Sequence, residues 1–516
     1  MDLPEIWKKI RVQKKCVIIS TLLFGIFTHG PMMFNKFSKF DDIQFLFTGG
    51  VTFSSGRWML YVAEKLKNLL FLDSIYGLPL PNIVFSLICI AATVCILIDL
   101  LDIRSSNLSI LLTGIFVTIP VVACMYGYMF TAQFFSFAIL CAVLGAYLVL
   151  TKKRWYLILS GIILMTWSVG IYQAYIPLML CVFLFGLMKR FSEAEGREDR
   201  IRVWIRTGII GISCAAFLLL NTLILNFFLR INHVELSGYK GIGYASKIPL
   251  SFYLERAVFA CKEFFFPRRG SFYDTFPGRS RELYIFSIAL SFIFLVIFVL
   301  SLAKKSKLNA VIVFMLGLFV PLAVNFIFVI VDETFVYVMM IYGYAMYFLF
   351  FIWIYEQIKD KLNCFMQKTL GSIVTVTLVL IVVIFSRFDN VCYLRLEMVM
   401  AQTSRYYTSL ITRIQSTDGY RSDMQIVYIG KPQILDDDTT IPEIQELNYI
   451  HVSPFFGFRE SLSTEPWRDF MEQWSLFKAW ETDPDEFISL PEVQKMPSYP
   501  NEGSIRVIND TLVVKF

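Results

Sequence analysis

The amino-acid sequence predicts an all-α polytopic membrane protein with roughly eleven transmembrane helices, followed by a small C-terminal α/β domain. Hydrophobic residues make up 56% of the 516 residues and charged residues only 17%, whereas a soluble domain carries about 25% charged residues. Long apolar runs recur up to Arg387 and then stop. We therefore predict a transmembrane domain over residues 1–387 and a polar domain over residues 388–516.

The predicted spans follow from the length of the apolar runs. A helix that crosses about 30 Å of hydrocarbon at 1.5 Å per residue needs roughly 20 mostly apolar residues. The runs that satisfy this are 16–34, 82–102, 108–127, 130–150, 155–172, 174–188, 207–229, 284–303, 308–331, 335–355 and 369–387. The basic stretch from Lys8 to Lys15 is typical of a signal peptide, but no small-residue cleavage site follows it, so we expect an uncleaved first span.

The distribution of basic residues predicts the orientation of these spans. Basic residues concentrate in connections that would share the side of the N-terminus. These are Arg104, 152–154, 189–206, 304–307 and 356–368. By the positive-inside rule this side is the cytoplasm. The segments 35–81 and 230–283 and the C-terminal domain are then expected outside.

The first outside segment begins with two adjacent acids, Asp41 and Asp42, directly after the first apolar run. A charged side chain at the bilayer centre costs roughly 2.5–3.5 kcal/mol, so the pair is expected just outside the membrane. A carboxylate there can take a proton from a substrate hydroxyl. Like charges raise the pKa of one member of such a pair. Either acid could instead cap a short helix, with the other acting in the chemistry.

An amphipathic helix is predicted downstream, with Ser54 or Ser55 as its N-cap. Apolar residues recur there at helical spacing, while Glu64, Lys65 and Lys67 fall on another face. The apolar positions are Trp58, Met59, Val62, Leu66, Leu69 and Leu70. This pattern is typical of a helix that lies along a membrane surface, or of one packed on the bundle.

The second outside segment combines glycine-rich turns, aromatic residues and several cations, which suits a loop over a polar head group. Arginine binds phosphate through its bidentate fork. The candidate donor-phosphate or substrate-binding residues of this segment are Tyr239, Lys240, Arg268, Arg269, Arg279 and Arg281. Arg57 of the first outside segment is a further candidate. The alternative for the arginines is simple binding of anionic membrane lipid, or snorkelling to head groups for Arg57.

Several other classes of function are disfavoured by the sequence. The ten Cys include no CxxC pair and the three His are far apart, so no metal site is predicted. Asp436-Asp437-Asp438 lacks the interleaved ligand spacing of a calcium loop. No basic stretch is interleaved with stacking aromatics, so nucleic acid is not an expected partner. Charges are nearly absent from the spans, which argues against an ion-coupled transporter.

The C-terminal domain shows mixed secondary structure and no catalytic motif. Residues 424–431 are predicted as a strand, and Pro466 as the first residue of a helix. Residues 505–516 are predicted as a hairpin that turns near Asn509-Asp510. Its position suggests that it docks an acceptor polymer or a partner protein.

Taken in order, these motifs resemble the bacterial type II, O-antigen-modifying membrane glucosyltransferase family. The resemblance covers most of residues 10–390 in layout and depends on order and spacing. The motifs are the acid pair, Gly56-Arg57-Trp58, Leu78-Pro79-Leu80-Pro81-Asn82, Tyr172-Gln173-Ala174, Tyr239-Lys240-Gly241 and the polar tail. The family is similar in turn to the C superfold of polytopic glycosyltransferases (GT-C). The chain departs from it at Val338 to Ile341, which lacks the Pro-Arg pair of many relatives.

The resemblance implies a transferase that moves a sugar, typically glucose, from a polyprenyl-phosphate carrier to a cell-envelope glycan. The reaction would take place on the outer face of a bacterial cytoplasmic membrane, with Asp41 or Asp42 as base. One direct displacement would invert the anomeric carbon, since no second, nucleophilic carboxylate is evident. No cofactor is certain, and a divalent metal stays open. The rival hypotheses are a flippase or exporter of lipid-linked glycans and a glycan polymerase.

Overall fold

The computed structural model describes residues 10–37, 42, 53–72, 75–237, 249–271, 273–432, 466–477 and 480–516. The fold is mostly helical, at 75%, and ends in a small sheet. Three predicted site residues, Asp41, Tyr239 and Lys240, lie outside the described residues, as does the acidic run at 436–438.

The first half of the helical part runs from α1 to α9. These helices are α1 (Val12–Phe34), α2 (Trp58–Phe71), α3 (Pro79–Leu101), α4 (Ser106–Thr118), α5 (Pro120–Tyr126), α6 (Met129–Thr151), α7 (Trp155–Ile171), α8 (Ile176–Glu193) and α9 (Gly196–Ile231). Short 3₁₀ turns at Phe53–Ser55 and Gln173–Tyr175 precede α2 and α8. The amphipathic helix predicted from the sequence is α2, which begins after Arg57, and neither Ser54 nor Ser55 is its cap.

The second half runs from α10 to α16. These helices are α10 (Leu250–Phe265), α11 (Ser280–Ala303), α12 (Lys307–Leu318), α13 (Val320–Val324), α14 (Ile327–Ile330), α15 (Gly343–Lys359) and α16 (Cys364–Gln415). Two 3₁₀ turns, Glu333–Phe335 and Val338–Met340, lie between α14 and α15. From Gly343 to Glu356 every residue of α15 is buried, so this helix occupies the interior of the bundle.

Seven described helical stretches are long and apolar enough to cross a membrane, or eight if α4 and α5 form one span with a 42° bend. The predicted count of eleven is therefore not confirmed. The run 308–331 is divided among α12, α13 and α14, and α7 has 17 residues. Pro120 and Pro321 stand in the first turns of α5 and α13. Proline lacks the N–H that would continue the preceding helix, which explains both breaks.

Helix α6 packs closely against α7. A Cβ added to Gly145 would lie 2.7 Å from the carbonyl oxygen of Gly161, and one added to Gly161 would lie equally near the oxygen of Gly145. Only glycine on both helices allows this backbone approach. This fixes α6, whose first turn forms part of the candidate site, beside α7 and the turn that follows it.

Helix α16 has 52 residues and continues well past Arg387, where the last span was predicted to end. At 1.5 Å per residue it is about 78 Å long, more than twice the thickness of a bilayer core. No Gly or Pro interrupts the sequence from Ser372 to Gln415. The polar domain predicted from residue 388 thus begins inside this helix, and its sheet begins at residue 425.

The C-terminal part contains β1 (Gln425–Ile429), α17 (Pro466–Trp474), β2 (Trp480–Glu481), α18 (Asp485–Ile488), α19 (Pro491–Gln494), β3 (Ile505–Ile508) and β4 (Thr511–Lys515). The strand order is β2-β1-β4-β3, with β1 parallel to both neighbours and β3 antiparallel to β4. Asn509 and Asp510 both have positive φ, as a two-residue hairpin turn requires. The predicted strand, helix start and hairpin are confirmed.

Aromatic side chains attach this domain to the end of α16. The Tyr406 ring lies 5.6 Å from the Tyr499 ring, and the Tyr407 ring lies 5.4 Å from the Phe470 ring. Tyr407 is fully buried. The sheet domain therefore packs along the part of α16 that extends beyond the predicted span.

Candidate functional site

Asp42 lies at the first turn of α6. Its side chain is fully buried, and one carboxylate oxygen accepts a hydrogen bond of 3.0 Å from the backbone N–H of Phe130. The other oxygen pairs with Lys36 Nζ. A carboxylate at a helix N-terminus is stabilised by the free N–H groups and by the positive end of the helix dipole. These two contacts hold the carboxylate of Asp42 in place.

The entrance to α3 supports the same turn of α6. The Asn82 side-chain amide donates to the carbonyl oxygens of Tyr76, at 2.6 Å, and Met129, at 3.0 Å. Asn82 belongs to the proline-rich motif at the start of α3. This motif therefore fixes the backbone that binds Asp42.

The Gly-Arg-Trp and Tyr-Gln-Ala motifs contact each other directly. Gln173 Nε2 donates to the carbonyl oxygen of Ser55 at 3.1 Å. Gly56 has φ of +76°, and a Cβ there would lie 2.6 Å from Gln173 Nε2. Trp58 Nε1 donates to Asn221 Oδ1 of α9 at 2.8 Å. These bonds make the Tyr-Gln-Ala motif a polar join between helices.

Arg57 is held over the face of Tyr172, with its guanidinium carbon 5.1 Å from the ring centre. The Tyr172 hydroxyl donates to the Tyr337 hydroxyl at 3.2 Å, and its ring lies 4.9 Å from that of Phe135 on α6. Arg57 Nε is buried and has no hydrogen-bond partner among the described residues. Within those residues no salt bridge of Arg57 is found either. Its charge is thus positioned by aromatic contact and has no anionic partner in the described part of the chain.

Asp42 and Arg57 are therefore both positioned near the same end of α6. Asp42 binds the N–H of Phe130, and Arg57 reaches the helix through Tyr172 and Phe135. Five residues separate these two contact points, which corresponds to about 7.5 Å along the helix axis. A carboxylate and a guanidinium without an anionic partner among the described residues thus lie at one end of one helix.

Two of the four predicted arginines of the second outside segment pair with acids of the protein. Arg268 pairs with the buried Glu263 at 2.9 Å and with Glu333 at 3.7 Å. Arg269 pairs with Glu282. Arg281 Nε donates to the carbonyl oxygen of Pro267 at 2.6 Å. Arg279 is exposed. These contacts hold the segment together, and the predicted phosphate-binding role of its arginines stays a prediction.

Glu64 is a candidate that the sequence analysis placed on the polar face of α2. The structure buries it, with 5% of its surface exposed, and leaves Oε1 without a hydrogen-bond partner among the described residues. Burial raises the pKa of its carboxyl to about 8, with Lys65 opposing the shift. Leu66, Leu69 and Leu70 are instead more than half exposed. The acid therefore faces the protein, and the leucines of the last turns face outward.

The C-terminal domain reaches this site through α17. Lys36, the partner of Asp42, lies with Nζ 6.0 Å from the ring centre of Trp474. The sequence alone gives no signal for this contact, because 438 residues of chain separate the two side chains. Trp474 is therefore a residue of the site that sequence reasoning missed.

The comparison with known families now bears on this arrangement. Residues 30–351 match the family described as glucosyl transferase GtrII, which is more than half of the chain. The chain belongs to this family. No curated protein and no solved structure gives a significant match.

The GtrII family match includes Lys36, Asp42, Arg57 and Tyr172, and it ends inside α15. The protein is thus a glycosyltransferase of the glucosyltransferase class, with several long apolar helices typical of a membrane protein. Helix α16 and the C-terminal sheet lie beyond the matched residues. The contact between Lys36 and Trp474 therefore joins the family core to a domain outside it.

Metal binding finds no support in the described residues. No group of three or more His, Cys, Asp or Glu side chains there could hold a metal ion. His29 is fully buried, and its two ring nitrogens lie 2.7 Å from the Tyr393 hydroxyl and 2.8 Å from the Val117 carbonyl oxygen. This histidine therefore serves the packing of α1 against α4 and α16.

Proposed function

We propose that this member of the GtrII family transfers a sugar, glucose in the first instance, from a polyprenyl-phosphate carrier to a cell-envelope glycan. In this proposal the acid pair Asp41-Asp42 supplies the general base, and Arg57 binds the phosphate. The reaction takes place on the outer face of a bacterial cytoplasmic membrane, where the positive-inside rule puts this end of α6.

The main support for the proposal is the set of contacts that Arg57 makes and lacks. Among the described residues Arg57 Nε is buried without a hydrogen-bond partner and the side chain has no anionic partner, an arrangement that a bound anion would complete. Arg57 is held over Tyr172 near the helix end that binds Asp42. A phosphate there would form charge-assisted hydrogen bonds in a bidentate geometry.

The chemistry requires a base on one side of the anomeric carbon and a stabilised leaving group on the other. The base takes the proton of the acceptor hydroxyl, and the resulting oxygen attacks the anomeric carbon. The bond from that carbon to the phosphate oxygen breaks, and polyprenyl phosphate leaves with the electron pair. Arg57 stabilises the charge that develops on this phosphate. A single displacement inverts the configuration at the carbon.

In this scheme Lys36 and the first turn of α6 hold Asp42 in position. They fix Asp42 between a cation and a backbone N–H. Substitution of each acid in turn decides which of the two is the base.

The test is transfer of labelled glucose from polyprenyl-phosphate glucose to membrane glycan by the purified full chain in lipid. We expect Asp41→Asn or Asp42→Asn to abolish detectable turnover, and full activity in both variants would overturn the acid-pair mechanism. Gel-resolved glycan length separates addition of single sugars from polymerisation. Flipping of a lipid-linked glycan without a new glycosidic bond would contradict the transferase assignment.

Arg57 has its own test within the same assay. Loss of charge-assisted contacts worth about 1.5–3 kcal/mol corresponds to a fall in kcat/KM of roughly 10- to 150-fold for Arg57→Ala. Arg57→Lys retains the charge without the bidentate fork and should fall between the two. Arg230→Ala, at the exposed end of α9, is the matched control. Equal kcat/KM values for Arg57→Ala and the control would exclude Arg57 from phosphate binding.

A further inference from the structure

A basic cavity lies at the opposite end of α6 from Asp42. It forms where the end of α6, the last turns of α8 and the first turns of α9 meet, and its volume is about 470 Å³. A helix of 23 residues separates it from the candidate site, or about 34 Å. The cavity is therefore independent of the transferase site.

Positive charge dominates the lining of this cavity. The four cations are Lys153, Arg190, Arg202 and Arg206, and the two acids are Glu193 and Asp199. Both acids already have cationic partners, since Asp199 lies 3.2 Å from Arg202 and Glu193 lies 3.9 Å from Lys189. The lining thus has a surplus of positive charge.

Arg206 is a buried cation whose position at this cavity is fixed by hydrogen bonds. It is 8% exposed and donates to the carbonyl oxygens of Val149 at 2.9 Å and Lys152 at 2.8 Å, where α6 ends. Arg190 lies close enough to Arg206 for their charges to repel each other. In the part of the chain that the structure describes, neither Arg190 nor Lys153 forms a salt bridge. An anion between these side chains would relieve the repulsion and supply the missing partner.

The side of the cavity along α9 is apolar and open. Ile205 and Ile209 line it, and Ile205 is 59% exposed. Trp204 and Ile212 on the same helix are 54% and 73% exposed. In a membrane these side chains would contact acyl chains, with the tryptophan near the head-group level. A ligand of this cavity would therefore have a phosphate head beside acyl chains.

We propose that this cavity binds the phosphate head group of an anionic phospholipid, with its acyl chains along α9. Basic pockets between transmembrane helices on the cytoplasmic side bind such head groups. Free phosphate carries the same anionic group as the lipid head, but only the lipid also has acyl chains that can contact the apolar wall of α9. The bound lipid joins the ends of α6, α8 and α9 without taking part in glucosyl transfer.

The experiment measures lipid binding to the delipidated full chain in neutral detergent by native mass spectrometry. The probes are phosphatidylglycerol, phosphatidylcholine and inorganic phosphate. We expect phosphatidylglycerol to bind at least 10-fold more tightly than phosphatidylcholine, with phosphate alone failing to compete at the same concentration. Equal affinity for the two lipids would overturn the proposal, and so would full competition by inorganic phosphate, which would indicate a free-anion site.

Two variants locate the site. Arg190→Gln and the exposed double variant Lys153→Gln/Arg202→Gln should each weaken phosphatidylglycerol binding about 10-fold or more. The double variant keeps Arg206 and the buried contacts, so it guards against a folding defect of Arg190→Gln. Lys304→Gln/Lys305→Gln removes two exposed cations between α11 and α12 and is the matched control. Weakening as large in the control as in the pocket variants would contradict the assignment.

Discussion

Trp474 contacts Lys36, whose Nζ lies 6.0 Å from the centre of the indole ring. Lys36 is in turn the side chain that pairs with Asp42. The sheet domain thus touches the candidate site through one aromatic ring, although it lies outside the residues that match the family. Its role can be tested at this contact.

Trp474→Ala should lower the rate of sugar transfer. A cation–π contact is worth about 0.5–2 kcal/mol, so we expect a loss of roughly 2- to 30-fold in kcat/KM. Trp474→Phe keeps an aromatic face and should retain most of the activity. Steady-state kinetics on both variants checks this, and equal rates for the alanine and phenylalanine variants would show that the ring does not act through Lys36.

Gly56→Ala should disturb the joint between the Gly-Arg-Trp and Tyr-Gln-Ala motifs. The φ of +76° and the approach of Gln173 Nε2 to 2.6 Å both oppose a side chain there. We expect a loss of about 1–3 kcal/mol in stability and a fall in activity, because Arg57 would shift with the turn. Gly270→Ala is the control, since its φ of +67° brings strain but no atom lies within 4 Å. Melting temperature and transfer rate are measured together. Equal effects of the two substitutions would leave only backbone strain as the cause.

Glu64 should make the stability of the protein depend on pH. Its pKa is raised to about 8 by burial, above its model-peptide value of 4.5. Between these values the folded protein retains the proton and the unfolded chain does not, so stability falls as the pH rises. The loss is complete above pH 8 and amounts to a few kcal/mol at most.

Glu64→Gln removes this titration and should melt at a higher temperature than the wild type at pH 8.5. The difference should shrink as the pH approaches 5. Thermal melting in detergent across this range measures it, with Glu235→Gln as a control because Glu235 is exposed. A constant difference at all pH values would mean that Glu64 does not titrate in this window.

Asp389 is another buried acid of the helical bundle. It is fully buried in α16, and neither carboxylate oxygen has a hydrogen-bond partner among the described residues. Asp389→Asn keeps the shape but removes the cost of transferring an ionisable carboxyl from water to this buried site, and should therefore raise stability by about 1–3 kcal/mol. Tyr393→Phe should instead lower it, because His29 Nδ1 loses its partner at 2.7 Å. A lower melting temperature for Asp389→Asn would reveal a requirement for the carboxyl.

Local patterns predicted most of the elements correctly. The apolar runs gave the positions of the long helices, and the hairpin at 505–516 followed from its turn residues. The composition change at Arg387 was less informative, because the helix continues for another 28 residues with buried positions such as Tyr393 and Tyr407. A hydropathy window averages over all faces of a helix, so it does not detect a narrow buried stripe on a helix whose other faces are polar. The end of a predicted membrane span is therefore not the end of the helix here.

The candidate site was predicted only in part, because its contacts join distant segments. Asp42 and Arg57 are candidates from the sequence, and their roles as base and phosphate-binding residue stay predictions. The aromatic ring that holds Arg57 lies 115 residues further on, and helical spacing alone could not show that Glu64 faces the protein. Which face of an amphipathic helix is buried depends on what packs against it, here α7 and α9.

The uninterrupted length of α16 couples the height of the sheet domain to its rotation. One residue added between positions 388 and 403 would raise the sheet by about 1.5 Å and turn it by about 100°, which would carry Trp474 away from Lys36. Seven residues, close to two full turns, would restore the direction but leave the ring about 10 Å too far out. The indole can therefore reach its lysine at only one length of this helix, so α16 sets the spacing between the two domains.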